Sequence, residues 1–215
     1  MRQLKPVYTF AGDTATYARQ LADLMPGDTA VVTSTDSGPG LTTDPALMQH
    51  IAELATRNVN VLGYVYTGAT INATRVFGSR TVDGLLDDIV AWDHLYGVRR
   101  VFVDEWPPTW GSRHIGAMWG AVRGYAGKGS ATSPILVVNP GRPLDLHVAP
   151  PAGTLVVTSE GVNVRLWKPA PWEVALIHDS INVEADRAAL VLAGWQWGFV
   201  TSDGRDGNPY DGIIR

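Results

Sequence analysis

The 215-residue chain contains no cysteine. Disulfide bonds, thiolate metal sites and a cysteine nucleophile are therefore excluded, and the redox compartment cannot be inferred.

The chain also lacks a dense cluster of Lys or Arg, and its formal net charge is -4. Nucleic acid and anionic membranes are poor partners for such a chain, because binding to phosphate needs local positive charge. An uncharged substrate fits this charge balance better.

Met1 is followed by Arg2-Gln-Leu-Lys5 and a short strand-like run, without the apolar segment of a secretory signal. No apolar run elsewhere in the sequence has the length of a membrane span. Three origins are consistent with this: a cytoplasmic protein, a virion or phage-tail component delivered by lysis, and a catalytic domain trimmed from a longer secreted precursor. The localisation and the oligomeric state are not determined by the sequence. If the chain acts on a surface polymer, it acts outside the producing cell.

Hydrophobic residues make up 45% and charged residues 18% of the chain. This is enough for one sizeable core, and no linker-like tract separates two cores. We therefore predict a single domain over residues 1–215.

Eight Trp and seven Tyr are many for this length, and aromatic faces stack on the apolar faces of sugars, although most aromatic side chains belong to cores.

Eight strand-like runs alternate with helix-like segments along the chain. The runs cover residues 6–10, 29–34, 60–66, 101–105, 135–139, 155–159, 174–178 and 196–201, and the clearest helical segments cover 14–25, 44–57, 81–96, 112–125 and 182–193. Such alternation is typical of parallel βα units, in which each strand is covered on both faces. We predict an α/β fold, a compact (β/α)8 TIM barrel.

Two connections depart from the full barrel pattern. Segments 140–151 and 161–171 are rich in proline and too short for full helices, so we expect some outer helices to be shortened or missing. A doubly wound open sheet is the rival fold. It would normally carry a glycine-rich phosphate turn after the first strand, and Ala11-Gly12-Asp13 lacks the GxGxxG spacing.

In a barrel, the carboxyl ends of all strands meet at one mouth. Asp104 and Glu105 end the fourth strand-like run, and Glu160 follows the sixth. Solvation alone would explain an isolated Asp-Glu pair. The presence of Glu160 at the same mouth favours a catalytic role instead. Glycosidic cleavage needs one protonated carboxyl group to release the leaving oxygen and a second carboxylate to attack the anomeric carbon or activate water.

Further polar and aromatic side chains at these strand ends are candidates for binding the substrate. They are Tyr8, Asp36, Tyr64, Tyr66, Trp106, Trp110, Asn139, His178 and Asp203. The Tyr and Trp side chains could stack on sugar rings, could belong to the core or, for the tyrosines, could hydrogen-bond a carboxylate. Asn139 could donate to a sugar hydroxyl or cap the turn that follows it, and His178 is included for its position. The five His show no metal-ligand spacing, so we predict no metal and no cofactor.

Several motifs in a fixed order carry a family resemblance over nearly the whole chain. They are Pro6-Val-Tyr8, Ser37-Gly-Pro-Gly40, Val61-Leu-Gly-Tyr-Val-Tyr-Thr67, Val101-Phe-Val-Asp-Glu105, Val138-Asn-Pro-Gly141, Val157-Thr-Ser-Glu160, Ile177-His178, Gly198-Phe-Val-Thr-Ser-Asp203 and Asn208-Pro-Tyr-Asp211. In this order they resemble the spherulin-4-like glycoside hydrolases, also called spherulation-specific family 4 and similar to glycoside hydrolase family 135.

The resemblance implies a (β/α)8 barrel that cleaves polysaccharide internally. In the fungal members the substrate is an α-1,4-linked galactosaminogalactan rich in N-acetylgalactosamine or galactosamine, and the acidic residues fall on Asp104, Glu105 and Glu160. The sequence departs from the family pattern at Thr33-Ser34, where Asn-Pro is usual, and at Thr67-Gly68-Ala69, where Thr-Xaa-Tyr-Gly is usual. Both places lie beside the expected sugar sites, so they bear on the identity of the substrate more than on the reaction.

The roles of the three acids follow in part from strand geometry. Adjacent strand residues point to opposite faces, so only one of Asp104 and Glu105 can point directly inward. We predict that Glu160 and one member of this pair act as acid/base and as nucleophile or water activator, while the other member tunes a pKa or orients the sugar. An N-acetylated sugar could also supply its own amide oxygen as nucleophile.

The predicted function is therefore an endo-acting glycoside hydrolase on an amino-sugar polysaccharide. The alternative is a non-catalytic carbohydrate-binding barrel, such as a recognition domain on a phage tail or a cell surface. A barrel isomerase or aldolase would need a strand-end Lys or a metal cluster, and Lys5 and Lys168 are poorly placed for such chemistry.

Overall fold

The computed structural model describes residues 1–8, 11–34, 38–71, 74–76, 80–107, 109–127, 129, 133–141, 149–161 and 167–202, with the backbone alone for 69–71 and 74–76. The elements in chain order are β1 (Arg2–Val7), α1 (Thr14–Leu21), β2 (Thr29–Val32), α2 (Pro45–Thr56), β3 (Asn60–Tyr66), β4 (Ala69–Ile71), β5 (Thr74–Val76), α3 (Val82–Tyr96), β6 (Val101–Asp104), α4 (Ser112–Ala126), β7 (Leu136–Asn139), β8 (Thr154–Gly161), β9 (Glu173–Ile177), α5 (Val183–Ala193) and β10 (Trp197–Val200).

Eight of the strands form a closed parallel barrel in the order β1-β10-β9-β8-β7-β6-β3-β2. Five helices connect successive barrel strands, and the described residues between β7 and β8 and between β8 and β9 contain no helix. The structure confirms the predicted (β/α)8 barrel, and residues 142–148 and 162–166 of these two connections lie outside the described residues. No helix in the described part of the chain combines the length and the hydropathy needed to cross a bilayer.

The buried side chains form an interior core, an outer core and a smaller cluster that consists of Ala175, Ile177, Leu190, Trp195 and Val200. The interior core fills the barrel and consists of Leu4, Val31, Leu62, Tyr64, Tyr66, Phe102, Val137, Leu155, Val157, Val174, Leu176, Trp197 and Phe199. The outer core lies between the strands and the helices, where Val101 and Val103 of β6 pack with Trp92, Ile115 and Met118. Successive residues of a strand point alternately into the interior core and toward the helices. Because both faces of the strand are buried, both kinds of position are apolar, and the strands appear in the sequence as continuous hydrophobic runs.

Helix boundaries follow local capping chemistry. Asp44 precedes α2 and accepts hydrogen bonds from the N–H groups of Ala46 and Leu47, and Pro45 occupies the first turn. Thr81 caps α3 in the same manner. These side chains satisfy N–H groups that have no partner inside the helix, which is why the predicted starts of α2 and α3 lie within a residue of the observed ones.

Two features of the fold differ from the sequence prediction. The described first strand covers Arg2–Val7 and so begins four residues before the predicted start at residue 6, while residues 9 and 10 lie outside the described residues. Lys5 can lie in this buried strand because its Nζ pairs with Asp23 Oδ1 at 2.7 Å. The antiparallel hairpin of β4 and β5 in the connection from β3 to α3 was not predicted. Its strands have three residues each, too few for a periodic pattern.

Candidate active site

Asp104 ends β6 and points into the mouth of the barrel. It lies two residues after Phe102, which belongs to the interior core, and alternation places both on the same face. The register of the sheet sets Asp104 beside Tyr66 of β3 and Asn139 of β7. Asp104 is therefore the inward member of the Asp104-Glu105 pair.

The carboxyl group of Asp104 is held by two donors from neighbouring strands. The Tyr64 hydroxyl donates to Oδ2 at 2.7 Å, and Asn139 Nδ2 donates to Oδ1 at 2.9 Å. Asn139 is itself oriented, because its Oδ1 accepts the N–H of Gly141 at 3.1 Å. Asn139 is thus oriented by the turn and holds Asp104. Its Nδ2 carries a second N–H, so the donor role toward a sugar stays a prediction.

Burial raises the pKa of Asp104 to about 6. The hydrogen bond from Tyr64 and the one from the Glu105 N–H act in the opposite direction, since they stabilise the ionised form, whereas the negative charges of Glu160 and Glu105 raise the pKa further. A carboxyl group with a pKa near 6 can both release and accept a proton close to neutral pH. Asp104 therefore has the electrostatic environment of a general acid/base.

Glu160 reaches the mouth because β8 contains an irregularity. Val157 pairs with Val174, but the register then shifts and Glu160 pairs with Leu176, so that Thr158 is an extra residue. Leu176 belongs to the interior core, and residues paired in register share a face of the sheet. Strict alternation from the inward-facing Val157 would have directed Glu160 outward.

The turn after β7 brings Glu160 close to the supports of Asp104. Gly141 has a φ of 63°, and a Cβ atom added to it would lie 3.7 Å from Glu160 Oε2. The turn that begins at Asn139 therefore borders both acids. Because the charge of Glu160 also raises the pKa of Asp104, the two carboxyl groups belong to one site.

Glu105 follows Asp104 but leaves the strand. Its φ of 54° lies in the left-handed region, which costs a non-glycine residue about 1–2 kcal/mol. Its charge still contributes to the raised pKa of Asp104. Glu105 thus lies close enough to tune Asp104 electrostatically, while the inward direction at the strand end belongs to Asp104.

The predicted tyrosines line the barrel interior below and beside Asp104. Tyr64 and Tyr66 are each 8% exposed, and the half-buried Tyr8 packs edge-on against Tyr64 with ring centroids 5.0 Å apart. A Cβ atom added to Gly68 would come within 2.5 Å of the Tyr66 ring, so glycine allows this ring to lie against the chain. Tyr8 is the most exposed of the three.

Trp106 does not lie where sugar stacking requires it. Its side chain is 1% exposed and belongs to the outer core. The backbone explains this position: the Trp106 N–H still bonds to the Asn139 carbonyl at 2.8 Å, directly after the left-handed Glu105, so the side chain turns away from the mouth. Trp110 is half-buried and stacks on His114 at 5.5 Å.

His178 follows β9 two residues after the inward-facing Leu176. Its side chain is 2% exposed, and Nδ1 lies 2.8 Å from Asp179 Oδ2. Because Asp179 holds Nδ1, Nε2 is the ring nitrogen left for contact with a ligand. Sequence reasoning missed Asp179, although an acid directly after a strand-end His was a usable signal.

Comparison with known proteins now identifies the family. The family model described as spherulation-specific family 4 matches residues 6–213. The chain belongs to spherulation-specific family 4. A similar solved structure is the crystal structure of Aspergillus clavatus Sph3 in complex with GalNAc, with 21% sequence identity, a TM-score of 0.64 and coverage of 96% of this chain and 90% of that chain. No curated protein matches the chain.

Two predicted site residues of this family 4 barrel, Asp36 and Asp203, lie in parts of the chain that the structure does not describe. Within the described ranges, no group of three or more His, Asp or Glu side chains is arranged to hold a metal ion. Sequence reasoning also missed Thr67, whose hydroxyl donates to the Glu105 carbonyl, because the pattern of β3 does not show which strand-end side chain meets β6.

Proposed function

We propose that this family 4 protein is an endo-acting glycoside hydrolase that cleaves a surface polysaccharide containing galactosamine or N-acetylgalactosamine. The observation that carries the proposal is the pair of carboxyl groups, Asp104 and Glu160, which two different strands bring to one barrel mouth and which interact electrostatically. The complex of the structural neighbour with GalNAc supports an amino sugar as the substrate.

Asp104 acts as the general acid in this mechanism. Its pKa of about 6 leaves a protonated fraction near neutral pH, and that proton passes to the glycosidic oxygen as the bond to the leaving sugar breaks. Tyr64 and Asn139 each donate to one oxygen of the carboxyl group. Their bonds fix its plane and direct its remaining lone pairs, and the proton with them, toward the mouth.

Glu160 supplies the second carboxylate of the reaction. In its ionised form it attacks the anomeric carbon or activates a water molecule. Inversion of the released sugar indicates water activation, whereas retention indicates attack by Glu160 or by the amide oxygen of an N-acetylated sugar. Glu105 tunes Asp104 through its charge and its N–H group. His178, with Nδ1 held by Asp179, offers Nε2 to a sugar hydroxyl.

The test is release of reducing sugar from polymers of galactosamine, N-acetylgalactosamine and glucosamine. We expect Glu160→Gln and Asp104→Asn each to lower turnover by about 100-fold or more. Matched controls are Glu53→Gln on α2 and Asp93→Asn on α3, which remove carboxylates paired with Arg57 and Arg99 and are expected to stay within about twofold of the native rate.

Two results would contradict the proposal. Near-native turnover in folded Glu160→Gln would remove the second carboxylate from the mechanism. Tight binding of a polymer by the native protein without any release of reducing ends would instead indicate a carbohydrate-binding barrel.

A further inference from the structure

Thr67 directly follows β3 and contacts the turn that carries two of the acids. Its side chain is fully buried. The hydroxyl Oγ1 donates to the carbonyl of Glu105 at 2.6 Å, and the Thr67 N–H donates to the carbonyl of Asp104 at 3.3 Å. One residue of the neighbouring strand thus binds two consecutive carbonyl groups of the acid turn.

The orientation of these peptide groups matters for Asp104. Glu105 occupies the left-handed region with a φ of 54°, so the turn departs from the conformation that a glutamate prefers. The peptide between Asp104 and Glu105 carries the N–H that donates to the Asp104 carboxylate and lowers its pKa. Rotation of the turn toward an extended conformation would weaken this bond and redirect the carboxyl group.

Thr67 is itself anchored on the side away from β6. Its carbonyl accepts the N–H of Arg80 at 3.0 Å. The Arg80 guanidinium donates to the Tyr66 carbonyl at 3.2 Å and pairs with Asp88 of α3 at 2.6 Å. The hydroxyl of Thr67 is therefore a rigid donor connected to α3, and a rigid donor can hold a turn that would otherwise relax.

We propose that Thr67 is a positioning residue for hydrolysis: its hydroxyl holds the Glu105 carbonyl and thereby the backbone turn that aims the Asp104 carboxyl group at the glycosidic oxygen. The inference rests on the proposed function and assigns Thr67 no contact with the sugar. Thr67 thus acts on the chemical step through Asp104, so its loss lowers kcat much more than it changes KM.

The experiment compares the native protein with Thr67→Val, Thr67→Ala and Thr67→Ser. Thr67→Val removes the hydroxyl at nearly constant volume, and Thr67→Ser restores it. The matched control is Thr154→Val at the opposite end of the barrel, where the buried hydroxyl has no hydrogen-bond partner among the described residues. The readouts are kcat and KM on the cleaved polymer, thermal unfolding, and the carbon-13 NMR titration of the Asp104 carboxyl group.

We expect Thr67→Val to lower kcat by about 10–100-fold with KM within about threefold of native. The Asp104 pKa is expected to rise by about half a pH unit, since a hydrogen bond to the ionised form is weakened. Thr67→Ser should restore both quantities, and Thr154→Val should leave both unchanged.

Native kcat and an unchanged Asp104 titration in folded Thr67→Val would overturn the inference. If both hydroxyl-free variants fail to fold where Thr154→Val folds, Thr67 serves the fold and the inference is also overturned. A native protein that hydrolyses no polymer contradicts the proposed function instead, and the NMR titration, which needs no activity, still decides whether Thr67 positions Asp104.

Discussion

Asp104 places a charge where the fold favours a neutral group. The pKa of its carboxyl group is 3.8 in the absence of the fold and about 6 in the folded protein, so the folded state binds more protons than the unfolded chain between these values. This difference in pKa stabilises the folded state, and the contribution of Asp104 to the free energy of unfolding is fully present below about pH 4 and is lost as the pH rises through 6. Near neutral pH, the ionised Asp104 therefore weakens the fold that positions it.

The variant Asp104→Asn tests this coupling between function and stability. Because the amide does not ionise in this range, the variant should gain stability relative to native as the pH rises. The free energy of unfolding of the variant minus that of the native protein should be about 2–3 kcal/mol larger at pH 7.5 than at pH 4. Urea denaturation of both proteins at the two pH values measures this difference. A difference that does not change with pH would show that Asp104 titrates as it does in the unfolded chain.

At the scale of single elements, β8 shows how one extra residue redirects a functional group. Glu160 pairs with the inward-facing Leu176 because the register shifts after Val157. A bulge of this kind changes the face on which every later side chain of the strand lies. The direction of Glu160 thus depends on the number of residues after Val157, and not only on their identity.

Deletions within β8 test whether the number of residues between Val157 and Glu160 sets the direction of Glu160. Removing Thr158 leaves a regular strand in which Val157 and Glu160 still share the inner face, so we expect turnover within about tenfold of native. Removing both Thr158 and Ser159 directs Glu160 outward, and we expect a loss of at least about 100-fold. Circular dichroism must show that both variants are folded. Equal activity in the two would refute the proposed role of the bulge.

At the scale of the whole molecule, the barrel closes between the first and the last strand. β1 pairs with β2 in register over four residues and with β10 over two. The interior core is complete only when both of these pairings form, because residues from β1 and from β10 contribute to it. We therefore propose that the chain folds as one cooperative domain.

Urea unfolding followed by two probes checks this proposal. Trp92 and Trp106 belong to the outer core and Trp197 to the interior core, so tryptophan fluorescence reports on both layers, while far-UV circular dichroism reports on the backbone. We expect coincident transitions by the two probes. Two separated transitions would show that part of the barrel unfolds independently.

The sequence by itself determined the properties that depend on local pattern. The eight apolar strand runs and the five described helices, with capping residues such as Asp44, could be predicted from neighbouring residues. The ordered motifs around Asp104 and Glu160 likewise predicted the family, which the match over residues 6–213 confirms. These signals are local because periodicity, capping and turn chemistry act over a few residues.

The tertiary structure alone decided how the site is arranged. The partners of the acid turn lie far away along the chain, with Asn139 35 residues from Asp104 and Thr67 38 residues from Glu105. The raised pKa of Asp104, the inward direction of Glu160 and the burial of Trp106 all depend on which residues of adjacent strands are paired. This register is set by closure of the whole barrel, so no local pattern of the sequence contains it.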